Sequence, residues 1–591
     1  MKKYIFIITI ITVCGFFFSC NEQLDLDTDG RITRDEIFKE RNKVMGFLNS
    51  CYEGSFCPAP YMDRASFTDE AHDCDAITAG SVYAQWYVGA VTAVNYGSVS
   101  ADKDPWEGLY QGIRKCNIFI ANIKTSTALI SDEERTGWEA QARTLRALYY
   151  LQLIKRYGEV PLFTEDLGLE HDFKTDKKAS FSEVVTFIID ECKAALSVPD
   201  TQAGFSWNIY DNQHGIMHRA IPYAIMSQAA IYAASPLWTD GTYTWKEATE
   251  ITKEALAQCL AHDYKLFDVV PESTEAQNAY ALYFLTNSND RRSVDKETIY
   301  QKGGTMEVWK YAGLPSTPDM DKSGPCPTQE LVDSYEMQKT GQAPILGYSD
   351  DKHLSPILNT ASGYDPNNPY EGRDPRFYAS IYYNGAVRYL DQPNGKKVES
   401  YVGGADGISS TDRRHTRTGY YMRKFNYHRS GLNNNNDGAI RMFRLAELYL
   451  NFAEAAYQSD GPDAVIDLGL GFKMSARDAV NVVRKRAGMP DFPAGMSVAD
   501  FEKKYRNERR VEFAFEEHRF FDVRRWKILD QTDKHLSGME IRKEGEGYTY
   551  KRFAFSDRLS STAKFLKYPI NQDEINKISG YTGEEWQNEG W

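Results

Sequence analysis

Apolar residues recur every three to four positions over long stretches of this chain. Between Glu139 and Tyr157 (EAQARTLRALYYLQLIKRY), Ala142, Leu145, Leu148, Tyr149, Leu151 and Leu153 fall on one wide face, which predicts an amphipathic helix. Gly158 and Pro161 end it. Phe181 to Leu196 predicts a second helix, with Ser180 and Glu183 as a capping box. The segment His218 to Ser235 is alanine-rich and suits close helix packing. Thr244 to Leu260 follows, opened by a Thr244/Glu247 box. Arg441 to Gln458, Ser475 to Gly488 and one long segment from Ser497 to about Lys527 repeat the theme. Helices therefore come in pairs, in the manner of tetratricopeptide repeats, although no strict period of about 34 residues survives.

Between Pro271 and Gly438 the pattern changes. Gly, Asn, Pro and Tyr become dense, helical periodicity nearly vanishes, and Asn433 to Gly438 reads as a turn-rich loop. Long ordered loops on a rigid helical frame are where binding groups tend to sit. A mostly α fold is expected, divided into residues 1–19, 20–270 and 271–591, with the last part loop-rich over 271–438 and helical over 441–527.

Composition narrows the function. The 591 residues carry Lys+Arg 69 against Asp+Glu 83, a net charge of −14, with 42% hydrophobic and 26% charged residues. Such values exclude wholesale disorder, and the acidic balance argues against a phosphate-tracking nucleic-acid binder. Only one long apolar run exists, so a multi-spanning membrane protein is excluded. That run, Tyr4 to Phe18, follows Lys2 and Lys3 and has the length of a secretory signal core. It ends in Phe17-Phe18-Ser19-Cys20, a bacterial lipoprotein cleavage pattern that makes Cys20 the lipidated first residue. Export permits disulfides. Cys51, Cys57 and Cys74 are near enough in sequence for one bridge, while Cys116 and Cys192 sit in helical apolar patterns as small buried hydrophobes.

Candidate chemistry is sparse. Asp25, Asp27, Asp29 and Glu36, with Gly30 between, match the ligand spacing of an EF-hand calcium loop. No entering helix fits after Cys20, and Thr33 with Glu36 reads equally as a capping box for a helix Asp35–Tyr52. Calcium is thus a weak candidate, and no other cofactor is expected. Phosphate-cradling loops, HExxH, paired zinc spacings and Gly-x-Ser-x-Gly are absent from the sequence. Glu516, Glu517 and His518 lie in a stretch dense in both signs, which predicts a structural ion network with Glu516–Arg519 and Asp522–Arg525 pairs. Aromatics are the remaining signal: Trp 10, Tyr 38 and Phe 30, with more Tyr than a core needs. Sugar rings stack their C–H faces on Trp and Tyr. Tyr83, Gln85, Trp86 and Tyr87 form one ligand-binding candidate; Trp309 and Tyr311, near Asp319 and Asp321, form another.

Several blocks together resemble one family. LDLDTDGRITRDEIF, the Trp106–Tyr110 and Cys116–Phe119 stretch, EAQARTLRALYYLQLIKRYGEVPLF, PTQELVDSYEM, GRDPRF, RLAELYLNFAEAAYQ, VVRKRAG, ERRVEFAFEEHRFFDVRRW and YPINQDEI occur in the order found in SusD-like (SusD/RagB) outer-membrane nutrient-uptake lipoproteins of Bacteroidota. Asn571 stands where that family more often has Pro. The resemblance implies a tetratricopeptide-like helical-pair scaffold with a loop-rich, small-strand-containing binding face. It also implies a surface lipoprotein without catalysis that passes oligosaccharides to a SusC-like TonB-dependent transporter. No ligand residue carries over by motif. A secreted glycan-degrading enzyme, or the lid of a peptide or glycopeptide importer, are the alternatives.

Overall fold

The computed structural model describes residues 33–53, 62–99, 104–168, 170–200, 204–207, 215–274, 276–285, 293–301, 308–317, 320–392, 395–426 and 441–591. Cys20, Asp25, Asp27, Asp29, Cys57, Asp319 and the 433–436 asparagine run lie outside them.

The frame is a stack of helices: α1 (Arg41–Cys51), α2 (Trp106–Ile123), α3 (Asp132–Tyr157), α4 (Phe181–Leu196), α5 (Ala220–Ala234), α6 (Trp245–Ala261), α7 (Leu445–Asp460) and α8 (Ala476–Ala487). From α2 onward each packs on the next, including α6 on α7. The chain therefore leaves the stack after α6 and re-enters it at the adjacent position. Alanines make the close approaches: Ala230 and Ala234 of α5, Ala248 of α6 and Ala455 of α7 form one buried cluster. Capping boxes open α3 (Ser131/Glu134), α4 (Ser180/Glu183), α6 (Thr244/Glu247) and α8 (Ser475/Asp478). Each box satisfies amide groups that the first turn leaves without a helical acceptor.

The segment between α6 and α7 forms a lobe with its own core, built on Tyr280, Phe284, Tyr335, Phe377 and Phe425, and joined by Met539 and Ile541 from a C-terminal hairpin. Short antiparallel pairs tie it to other parts of the chain: β1 (Ala71–Asp73) with β3 (Pro325–Pro327) and β2 (Thr298–Tyr300) with β4 (Phe443–Arg444), while the longer β5 (His535–Glu544) and β6 (Gly547–Asp557) form the C-terminal hairpin. The β2–β4 pair draws both ends of the lobe together where it joins the stack. Arg444 is buried there, 2.8 Å from Glu297, 2.7 Å from Glu512 and 2.8 Å from Glu516. Burial alone would raise the Glu512 carboxyl, but Arg486, Arg444 and Arg376 hold it well below the usual range.

Four expectations are corrected. The single helix from Ser497 is two, α9 (Val498–Glu512) and α10 (His518–Arg525), parted by left-handed Phe515 and Glu517 at φ 63° and 65°. Asp522–Arg525 pairs as expected at 2.8 Å, but Glu516 does not meet Arg519. Glu516 binds Lys424 and Arg444, and Arg519 clasps Asp69, 450 residues earlier in sequence. The helix expected over Asp35–Tyr52 breaks between Ile37 and Arg41, because Phe38 turns into the core beside Phe47 and Phe119. Cys51 and Cys74 are free buried thiols, not a bridged pair. Cys116 and Cys192 are free and buried, as their apolar settings suggested.

Candidate functional site

Strand pairing places the two aromatic segments side by side. β1 and β3 align Asp73 with Pro325, so residues 320–324 run past the 3₁₀ turn Cys74–Ile77, which Asp73 caps by accepting from the Asp75 amide at 2.9 Å. Lys322 reaches inward from that segment. Its ammonium lies 3.1 Å from Asp75, 3.9 Å from Asp63 and 5.5 Å from the Tyr83 ring centre. Burial disfavours its charge, yet Asp73, Asp63 and Asp75 hold it protonated well above the ordinary lysine value. Burial pushes Asp73 up to about 7 against the pull of Lys322. Arg413 completes the cluster from outside, with Nε 2.7 Å and Nη2 2.9 Å from the two Asp75 oxygens. Asp73, Cys74 and Asp75 bring ligand atoms within 4.8 Å of one another, but Lys322 and Arg413 already supply the countercharge.

On the other side of 320–324 sits the turn Val308–Tyr311. The Lys310 carbonyl accepts from the Asp321 amide at 2.9 Å and the Lys322 amide at 3.3 Å. Gly324, at φ +59°, lets this approach happen: a Cβ there would lie 2.2 Å from the Tyr311 carbonyl oxygen. Tyr311 is 36% exposed and Trp309 is half-buried, and the Arg413 carbonyl accepts from the amide of Ser323, next to Lys322, at 3.1 Å.

The four residues of the first segment have other duties. Trp86 is 3% exposed, its ring 5.0 Å from Phe67 and 5.1 Å from Phe565. Tyr83 donates to Asp63 at 2.9 Å. Tyr87 donates to the Ser66 carbonyl and accepts from the Asp73 amide. Gln85 donates to the Gly80 carbonyl. The three rings are packed core and present no open face. Glu36 also has a local partner: it accepts from the Thr33 amide and hydroxyl at 2.7 and 2.9 Å, which is the capping reading of that motif. Glu516 and Glu517 are buried in ion pairs, and burial keeps His518 neutral.

Sequence reading missed a cleft of about 650 Å³ between α2, residues 161–176 and the C-terminal helix α11 (Gln572–Thr582). Trp106, Tyr110, Phe163, Phe173, Tyr581 and Trp586 line it, with Phe173 and Tyr581 exposed at the mouth and 6.2 Å apart. WEGLY and YTGEEW are visible in the sequence, but no periodicity reveals that residues so far apart share one wall.

Among the described residues no helix is long and apolar enough to cross a membrane. A family model described as "SusD family" matches residues 283–591, and one described as "Starch-binding associating with outer membrane" matches residues 24–204. A SusD-like protein of Formosa agariphila is 24% identical over 533 residues, 87% of this chain and 88% of its own. A SusD-like protein structure from Bacteroides fragilis is 25% identical at a TM-score of 0.73, covering 94% of this chain and 98% of its own. A SusD-like carbohydrate binding protein structure from the same species is 22% identical at a TM-score of 0.67, covering 92% and 99%. A helical stack interrupted by a loop-rich lobe agrees with these matches, and the chain belongs to the SusD family of outer-membrane-associated binding proteins, which are not enzymes.

Proposed function

We propose that this protein is a cell-surface lipoprotein that captures oligosaccharides and delivers them to a SusC-like TonB-dependent transporter. The observation that carries the reading is the Trp309–Tyr311 turn. It presents an exposed ring, and the 320–324 segment hydrogen-bonded to the turn also contacts Asp75 through Lys322 and Arg413 through Ser323. A ring face takes the C–H side of a sugar, and a guanidinium–carboxylate pair takes its hydroxyls. One structural relative, from Bacteroides fragilis, is described as a carbohydrate binding protein, which supports the ligand class. The lipoprotein pattern ending at Cys20 supports the tether.

Calorimetry of the mature protein against an oligosaccharide panel tests it. Tyr311→Ala or Trp309→Ala should weaken binding by about 1–3 kcal/mol, as for an aromatic anchor. Unchanged affinity in both variants rejects this site. Loss in Tyr581→Ala instead relocates the ligand to the cleft beside α11. Binding of peptides but no glycan would overturn the ligand class. Co-purification of the tethered protein with a TonB-dependent barrel tests the partner.

A further inference from the structure

The cleft between α2, residues 161–176 and α11 shares no residue with the Trp309–Tyr311 turn. From buried Trp106 to exposed Tyr581, one ring follows another along it. Centres are 5.0 Å apart from Trp106 to Tyr110, 5.8 Å from Tyr110 to Phe163 and 6.4 Å from Phe163 to His171. They are 4.7 Å apart from His171 to Phe173 and 6.2 Å from Phe173 to Tyr581. Two polar ends in this series are already committed. The Tyr110 hydroxyl donates to the Pro161 carbonyl at 2.8 Å, and His171 Nε2 lies 2.9 Å from Asp176. The series opens to solvent at Phe173, 46% exposed, and Tyr581, 57% exposed.

The other polar groups of the cleft come as donor–acceptor pairs. Gln111 donates to Glu107 at 2.8 Å on α2, and the Lys577 ammonium lies 2.5 Å from Glu574 on α11. A carboxylate accepts more than one hydrogen bond, and an amide or ammonium donates more than one, so each pair keeps capacity for a ligand. Carboxylates outnumber cations: Glu107, Glu165, Asp176 and Glu574 line the cleft against Arg114 and Lys577.

These features select the occupant. A largely apolar cleft of about 650 Å³ with a few convergent polar groups has the form of a small-ligand site. An apolar partner helix would bury both polar pairs without satisfying their remaining capacity. An anionic ligand would meet the excess of negative charge. An uncharged, hydroxylated ring meets neither penalty: its C–H faces lie on the aromatic series, and its hydroxyls sit between the donor and the acceptor of each pair.

We infer that this cleft is a second oligosaccharide site, which takes an uncharged stretch of sugar chain independently of the Trp309–Tyr311 turn. The inference rests on the carbohydrate reading of the protein. Two sites on one rigid body hold a long chain at two points, which raises the apparent affinity for polymer over that for short fragments.

Calorimetry of the mature protein tests it, with maltohexaose, cellohexaose, xylohexaose and mannohexaose as neutral probes and tetragalacturonate as the anionic control. The neutral probe that binds should occupy two equivalents. Tyr581→Ala and Phe173→Ala should each remove one equivalent and leave the other unchanged, whereas Tyr311→Ala should remove the other. Gln111→Ala should weaken the cleft equivalent several-fold. Each single loss should weaken binding of the matching polysaccharide at least tenfold. Phe173, Gln111 and Tyr581 are exposed, so unchanged melting confirms that these variants are folded. One equivalent, lost in Tyr311→Ala and indifferent to Tyr581→Ala and Phe173→Ala, would overturn the second site and leave the turn standing. One equivalent lost in Tyr581→Ala alone would uphold the cleft and reject the turn. Preference of the cleft for tetragalacturonate, or self-association of the protein that Tyr581→Ala abolishes, would overturn the assigned occupant. No sugar bound by the wild type would overturn the carbohydrate reading itself.

Discussion

Two aromatic segments that look alike in sequence meet opposite fates. Tyr83 to Tyr87 and Trp309 to Tyr311 both mix rings with polar residues, and both contact the extended segment 320–324, through Lys322. The first is a short helix (Val82–Tyr87) whose rings sink between Phe67, Phe565 and the Asp63–Asp73 cluster. The second is a turn whose Val308 and Lys310 carbonyls are taken by backbone amides, and its Tyr311 ring stays 36% exposed. Ring content therefore does not mark a binding surface. The fate of the segment's backbone decides which rings are exposed: a turn perched on a neighbour displays side chains, whereas a helix laid on a core buries one face.

This contrast can be broken in a graded way. Trp86→Ala should cost about 3–5 kcal/mol in denaturant unfolding, the usual penalty for deleting a buried large aromatic. A loss under 1 kcal/mol would mean that the ring is not core. Tyr87→Phe removes the hydroxyl that bridges Ser66 and Asp73 and strands a buried amide. It should cost about 1–3 kcal/mol. Asp73→Asn tests the charge beneath the rings. Burial raises the folded carboxyl to about 7, above its ordinary 3.8, so the folded state binds the proton more tightly. Its contribution is complete below the unfolded value and is lost as pH rises through about 7. Melting of the wild type should therefore carry a declining component over that window, and Asp73→Asn should flatten it. An unchanged slope would show that Lys322 keeps Asp73 ionised throughout. Tyr311→Ala should be the smallest perturbation of the fold, within about 0.5 kcal/mol as for an exposed residue, and on the proposed function it should weaken oligosaccharide binding in the same preparation. Destabilisation comparable to that of Trp86→Ala would erase the distinction.

Much of the frame was legible in the sequence. Helices α4 and α6 begin at the capping residues that the Ser/Thr-x-x-Glu pattern named, and Glu139–Tyr157 is helical with about two earlier turns from Asp132. These are short-range facts, written in residues three to four positions apart. The ion network around Glu516 was legible as a network but not in its partners. Of the two expected i,i+3 pairs, Asp522–Arg525 forms and Glu516–Arg519 does not, since better-placed charges arrive from elsewhere in the chain.

The sequence alone determined the helical stack, the neutral role of the charge-dense segment and the family, because periodicity, caps and block order are local or linear properties. Tertiary structure alone decided that α7 continues the layer α6 leaves, that Lys322 ties two aromatic segments together, and that Glu516 pairs with Arg444. Each of those depends on which distant surfaces bury each other. Burial is a property of the whole folded chain, so the spacing of residues along it does not encode which ring is covered and which is left for a ligand.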